Sequence, residues 1–212
     1  RNAFGFNCGN GFGLFGRYSQ SDSKDAIRRN NTDARFGIAY RPINSDFFNA
    51  LFQYNLKGST SGIGMVSNVT NNIFSLETYF QPSYYWEIFT AFKLKNSFDK
   101  TEGKDVSFAS QSSNTSLGAL RITYKFNYNF DLATEFRIIT NFESFQNTFD
   151  FSPELGYYPI KDIRVGVGYN LFGYNDRDLS TSNYMAQGPY VNLALKFDSI
   201  GDFWANQGIF TK

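Results

Sequence analysis

Apolar and polar residues alternate along most of this chain. From Ile163 to Tyr169 it reads Ile-Arg-Val-Gly-Val-Gly-Tyr, with Ile163, Val165, Val167 and Tyr169 in one set and Arg164, Gly166 and Gly168 in the other. A two-residue period places the two sets on opposite faces of a strand. The same beat predicts strands whose apolar sets run Phe12–Tyr18, Ala34–Tyr40, Phe48–Leu56, Phe74–Phe80, Trp86–Leu94, Gly118–Phe126, Phe130–Ile138, Phe149–Tyr157, Ile163–Leu171 and Val191–Phe197. No stretch shows a helical period.

The connections between these strands alternate in length. Tight turns fall at Pro42–Asp46, Pro82–Tyr85, Asn127–Asn129 and Pro159–Asp162, and longer polar links at 20–32, 57–71, 96–114, 142–147 and 173–188. Short turns on one rim and long loops on the other are the mark of a bacterial outer-membrane barrel. The predicted fold is therefore all-β: an antiparallel up-and-down transmembrane β-barrel of about ten strands, with short periplasmic turns and long extracellular loops. An even strand count puts both termini in the periplasm. Residues 1–10 are read as a periplasmic lead-in, 11–198 as the barrel and 199–212 as a periplasmic tail.

Composition sharpens the picture. Phe and Tyr number 25 and 14, yet the mean hydropathy is only −0.38. That combination suits a wall with one side to lipid and the other to a polar lumen. No apolar run is long enough for a transmembrane helix. Aromatic residues gather beside the turns (Tyr40, Phe47, Phe48, Tyr84, Tyr85, Trp86, Phe126, Tyr128, Phe130, Tyr157 and Tyr158), where rings settle at a membrane interface.

Several segments carry a resemblance. They are Gly37-Ile38-Ala39-Tyr40-Arg41-Pro42 with Asn49-Ala50-Leu51, Ser75-Leu76-Glu77 with Gln81-Pro82-Ser83, and Glu154-Leu155-Gly156-Tyr157 with Val165-Gly166-Val167-Gly168-Tyr169-Asn170-Leu171-Phe172-Gly173-Tyr174. Gln187-Gly188-Pro189-Tyr190 running into Leu195-Lys196-Phe197-Asp198 completes the set. In order and spacing this is similar to the C-terminal outer-membrane barrel modules of very large bacterial surface proteins whose upstream regions carry extracellular repeats. The resemblance spans residues 11–198 and implies a membrane anchor. In that family the chain stops at or near the Lys-Phe-Asp, whereas here residues 199–212 follow.

The charge pattern narrows the chemistry. A net charge of +1 gives no pull toward nucleic acid, and the single Cys8 excludes an internal disulfide. With no histidine in the chain, the usual general base near neutral pH is missing, which points away from an enzyme. No cofactor is implied. Gly11-Phe12-Gly13-Leu14-Phe15-Gly16 has dinucleotide-loop spacing but lies in a strand pattern, and Asn175, Asp176 and Asp178, interrupted by Arg177, read as solvated loop residues.

By the alternation, the inward positions include Arg17, Arg35, Arg41, Glu77, Glu87, Lys93, Arg121, Lys125, Glu135, Arg137, Glu154, Arg164 and Lys196. Charges facing a narrow lumen must pair or stay hydrated. Two readings follow: a salt-bridged plug that rigidifies the barrel, or, because bases outnumber acids, a small anion-preferring pore. The expected function is a membrane anchor or structural component of a cell-surface assembly. A narrow porin-like channel for small solutes is one alternative. Another is a subunit of a larger outer-membrane complex, docking on outer-membrane or periplasmic proteins through Phe203, Trp204, Ile209 and Phe210 in the tail. Outer-membrane lipid is the partner common to all three.

Overall fold

A computed structural model of the chain describes residues 2–24, 28–42, 45, 47–63, 65–103, 106–160, 163–172 and 187–195. They form one antiparallel up-and-down sheet of eleven strands, each paired with the next in sequence. In chain order these are β1 (Asn2–Gly9), β2 (Phe12–Lys24), β3 (Arg28–Tyr40), β4 (Phe48–Ile63), β5 (Met65–Ser83), β6 (Trp86–Gly103), β7 (Val106–Lys125), β8 (Phe130–Asn141), β9 (Gln146–Ile160), β10 (Ile163–Asn170) and β11 (Gly188–Leu195). No helix occurs among the described residues.

The alternation reads out as two surfaces. Outward positions such as Phe36, Phe52, Phe74, Leu76, Phe92, Leu132 and Leu155 are exposed, while Ser75, Thr123, Asp131, Asp150, Ser152, Glu154 and Asn170, all inward, are buried. A conventional core is almost absent. The buried apolar side chains are Ile73, Ala91, Leu117 and Ala133, also inward, and Ile73 and Leu117 pack with Ala119 and Ile139. This inversion, with polar side chains buried and large apolar ones bare, is the barrel architecture that the period predicted.

Two expectations need correction. First, residues 1–10 are no lead-in: Asn2–Gly9 is a strand laddered to β2, with Phe6 opposite Leu14 and Phe4 opposite Gly16. The hairpin closes through Asn10 and Gly11, both at positive φ (49° and 85°), the primed-turn geometry whose twist matches that of paired strands. The Phe4 ring lies on Gly16, where a methyl group would collide with it. With eleven strands, β1 and β11 run in the same direction. Among the described residues each keeps one edge outside the ladder; Asn2 stands level with Tyr18, midway along β2, and Leu195 level with Ile163 at the tight-turn rim.

Second, most of the links expected at 20–32, 57–71 and 96–114 are strand. β4 and β5 stay in register from Phe48↔Phe80 to Ile63↔Met65, and β6 and β7 from Trp86↔Tyr124 to Gly103↔Val106. These extensions carry polar residues on both faces, so no period betrays them. Backbone ladders hold them, together with cross-strand polar bonds such as Ser59 Oγ to Asn31 Oδ1 at 2.9 Å and Asn96 Nδ2 to Asn114 Oδ1 at 2.5 Å. β7, at 20 residues, is twice the length that an apolar bilayer band requires.

The rim of tight turns carries a belt of rings. Phe12 and Tyr40 lie 4.7 Å apart, Phe47 and Phe80 4.8 Å, Trp86 and Tyr124 4.7 Å, and Phe130 and Tyr157 4.9 Å, centroid to centroid. Among the turn-side aromatics, Tyr158 points inward, toward Asp131.

Candidate functional site

The inner wall is the chemically distinctive surface, and its charges divide into two territories. The first lies on β7–β10. Arg164 donates from Nε to Asp131 Oδ2 at 2.7 Å and from Nη2 to Oδ1 at 2.6 Å, while its Nη1 donates to Glu154 Oε1 at 2.5 Å. Arg121 donates to the same Glu154 oxygen at 2.8 Å and to Glu135 Oε2 at 3.3 Å. Arg137 closes the chain on Glu135 Oε1, its Nη2 2.5 Å away. Three arginines and three carboxylates thus make one continuous network across four strands.

Its burial is deep. Asp131 is 0% exposed and Glu154 2%. Charges so removed from water are tolerable only when paired and hydrogen-bonded, and the fork-on-carboxylate geometry at Asp131 is the strongest form of that pairing. Tyr158 adds a further hydrogen bond to Asp131.

Glycine makes the geometry possible. Asp131 and Arg164 sit on β8 and β10, with β9 between them, and Gly156 is the β9 residue directly opposite Asp131. A Cβ at Gly156 would overlap both the Asp131 carboxylate and the Arg164 guanidinium. Gly166 likewise clears space for Glu154 and Arg164, and Gly168 for the Tyr190 ring. These inward glycines make room for side chains of their own and neighbouring strands.

Two smaller pairs lie nearby. Lys93 Nζ is 3.1 Å from Glu77 Oε1, both half-buried on β5 and β6. Lys125 pairs with Glu87 and lies 5.6 Å from the centroid of the Tyr84 ring. A buried polar group at β9 and β10 joins Asp150, Ser152 and Asn170, with the Ser152 hydroxyl 2.6 Å from Asn170 Oδ1.

The second territory lies on β2–β4 and looks different. Arg17 and Arg35 stand directly opposite each other, and Asn55 stands opposite Arg35. Among the described residues, neither arginine has a carboxylate within salt-bridge distance, and the buried Nε of Arg35 has no hydrogen-bond partner. Arg41 is exposed in the β3–β4 link, where its backbone N–H donates to the Gly11 carbonyl at 2.7 Å. Lys196, Phe203, Trp204, Ile209 and Phe210 lie outside the described residues, as do Asn175, Asp176 and Asp178.

The inward residues singled out from the sequence omitted Asp131 and Asp150, the two most deeply buried aspartates. Their signal was present: each sits between outward residues of the alternation, Asp131 between Phe130 and Leu132, and Asp150 between Phe149 and Phe151. Among the described residues no group of three or more His, Cys, Asp or Glu side chains is placed to hold a metal ion.

No protein-family model matches this chain, and no curated protein matches it. Among solved structures it is similar to a NanC porin, with 11% identity and a TM-score of 0.39 over 92% of this chain and 98% of that one. It is also similar to a deltaS2 mutant of the TodX monoaromatic hydrocarbon channel, with 11% identity and a TM-score of 0.43 over 91% of this chain. It spans 57% of the length of that channel.

Proposed function

We propose that this chain is a membrane-spanning β-barrel of a bacterial outer membrane that serves as an anchor or structural wall of a cell-surface assembly. The observation that carries the reading is the inversion of surfaces: bare Phe, Leu, Val and Tyr outside, buried ion pairs inside. In water such an outer surface would favour aggregation; in lipid it is the low-energy solvent contact. The aromatic belt at the tight-turn rim fits the interface beneath it. The six-residue network on β7–β10 ties four strands together, as a rigid anchor needs, and occupies that side of the lumen.

A narrow channel is the second reading, and one observation favours it. Arg17 and Arg35 face the lumen unpaired, so that side of the inner wall offers charge to a solute instead of to another strand.

Planar-bilayer recording of the purified full chain separates the two. An anchor with a filled lumen adds no steady conductance once insertion is verified by resistance of the liposome-bound protein to alkaline extraction. A steady conductance that falls on Arg17→Gln or Arg35→Gln selects the channel. Extraction of the protein from liposomes by alkali would overturn the membrane-spanning reading itself.

A further inference from the structure

We propose that Arg17, Arg35 and Asn55 form a binding site for an oxyanion on the inner wall. The three occupy one ladder row, Arg17 opposite Arg35 and Arg35 opposite Asn55, on three successive strands. Directly opposed side chains of this kind have Cβ atoms about 5 Å apart, and like charges there repel. Elsewhere on the wall that problem is solved by carboxylates: Lys93, Lys125, Arg121, Arg137 and Arg164 each have one. Here nothing plays that part.

Two orphaned atoms mark the place. Arg35 Nε and Asn55 Oδ1 are both buried and lack hydrogen-bond partners, although their residues are directly opposed. A buried donor left unmade costs about 1–3 kcal/mol, more when charged. The ends of the Asn55 amide are interchangeable, so it can turn Nδ2 toward the same point. Two guanidiniums and one amide then share one ladder row on three adjacent strands, Arg17 exposed and Arg35 partly buried. That suits an oxyanion, which accepts two parallel bonds from a guanidinium fork.

The surroundings fit. On one side of the row the Phe15 ring lies on Gly37, forming an apolar floor. On the other side lie Ser19, Asp33 and Lys57, with Asp33 opposite both of the other two. Asp33 is the one carboxylate close by in register, and it makes no ion pair with either arginine. Neutral Ala3 and Ile73 flank the three on β1 and β5, and beyond Ile73 the row continues to Lys95 on β6. Arg17 is six residues beyond the Gly11 turn, about 20 Å along the strand, so the ligand is a solute inside the wall and lipid headgroups outside it are out of reach. Carboxylate, phosphate and sulfate share the required chemistry.

This inference rests on the barrel reading only in taking the inner face as water-reached, and it holds for anchor and channel alike. The test is thermal unfolding of the full chain in detergent micelles, titrated with inorganic phosphate against chloride at constant ionic strength. A micelle assay needs neither lipid insertion nor conductance, so its failure is distinct from failure of the membrane reading. The expected result is a saturable rise in Tm. Arg17→Gln and Arg35→Gln, each verified as folded by circular dichroism, raise the apparent Kd by about tenfold or more, the loss of one charged contact. Arg35→Lys keeps the charge but loses Nε, and falls between Arg35→Gln and the unaltered protein. A Tm indifferent to phosphate, or a change of equal size in the unaltered protein and both Gln variants, overturns the site.

Discussion

Arg164 on β10 grips Asp131 on β8 through two parallel hydrogen bonds of 2.7 and 2.6 Å, passing over Gly156 of the intervening strand. The pair spans 33 residues of sequence and staples three strands with one contact. Because Asp131 is fully enclosed, removing its charge leaves Arg164 buried with only Glu154. Breaking a buried pair by deleting one partner typically costs about 3–5 kcal/mol. Asp131→Ala should therefore lower the urea midpoint of refolded protein by an amount corresponding to that range. The double variant with Arg164→Ala should recover part of the loss. Additive losses would show that the two residues are not coupled.

The Lys93–Glu77 pair gives the contrast. Its side chains keep 16% and 29% of their surface, and pairs that water still reaches contribute about 0.2–1 kcal/mol. Glu77→Gln should shift the same midpoint by no more than that. An effect as large as that of Asp131→Ala would mean that the lumen is drier around β5 and β6 than the exposure of this pair indicates.

Gly156 predicts a steric outcome. Its backbone is ordinary extended strand, so only space forbids a side chain, and a Cβ there would run into the Asp131 carboxylate and the Arg164 guanidinium. Overpacking of this kind costs about 1–3 kcal/mol. Gly58→Ala is the control: its Cβ would meet nothing nearer than Thr32 Cβ at 3.8 Å. Glycine inside a strand is worse than alanine by about 0.5–1 kcal/mol, so Gly58→Ala should stabilise slightly. Equal responses at the two sites would contradict the account of the network.

The parts of this molecule that could be read from its sequence are those where one face differs from the other. Phe130-Asp131-Leu132 or Ile163-Arg164-Val165 declare their faces because the exposed outer surface is apolar and the inner one polar. The polar ends of β4–β7, such as Lys57–Ser61 and Gln111–Asn114, meet like surroundings on both faces and so carry no period, although the ladder continues through them. β1 escaped for a different reason. It has only Phe4 and Phe6 as apolar alternates among Asn and Gly, and the readable mark was the Asn10-Gly11 dipeptide that turns it into β2. The inward face was legible from parity. Which inward charges meet was not, because Arg164 finds Asp131 by reaching across a strand over a glycine, and nothing in the spacing of either residue records that reach.

Leu76 and Val66 test the membrane itself. Both lie on β5 with outward parity, and they are similarly exposed, at 45% and 38%. They differ in height. Leu76 pairs with Phe52 and Phe92 within the apolar part of the wall, whereas Val66 pairs with Gly62 and Glu102 near the polar tip of the hairpin. If the outer surface faces lipid, Leu76→Arg places a guanidinium in hydrocarbon, at about 2–4 kcal/mol near the midplane, and Val66→Arg places one in water at about 0–1. If the sheet stood in water throughout, an arginine at either exposed position would cost a few tenths of a kcal/mol. Measured in phospholipid bilayers by reversible denaturant titration, the difference between the two variants is therefore the quantity to read. A gap of more than about 1.5 kcal/mol, with Leu76→Arg the weaker, is the expected outcome. A gap near zero would place both residues in the same solvent and remove the lipid-facing wall.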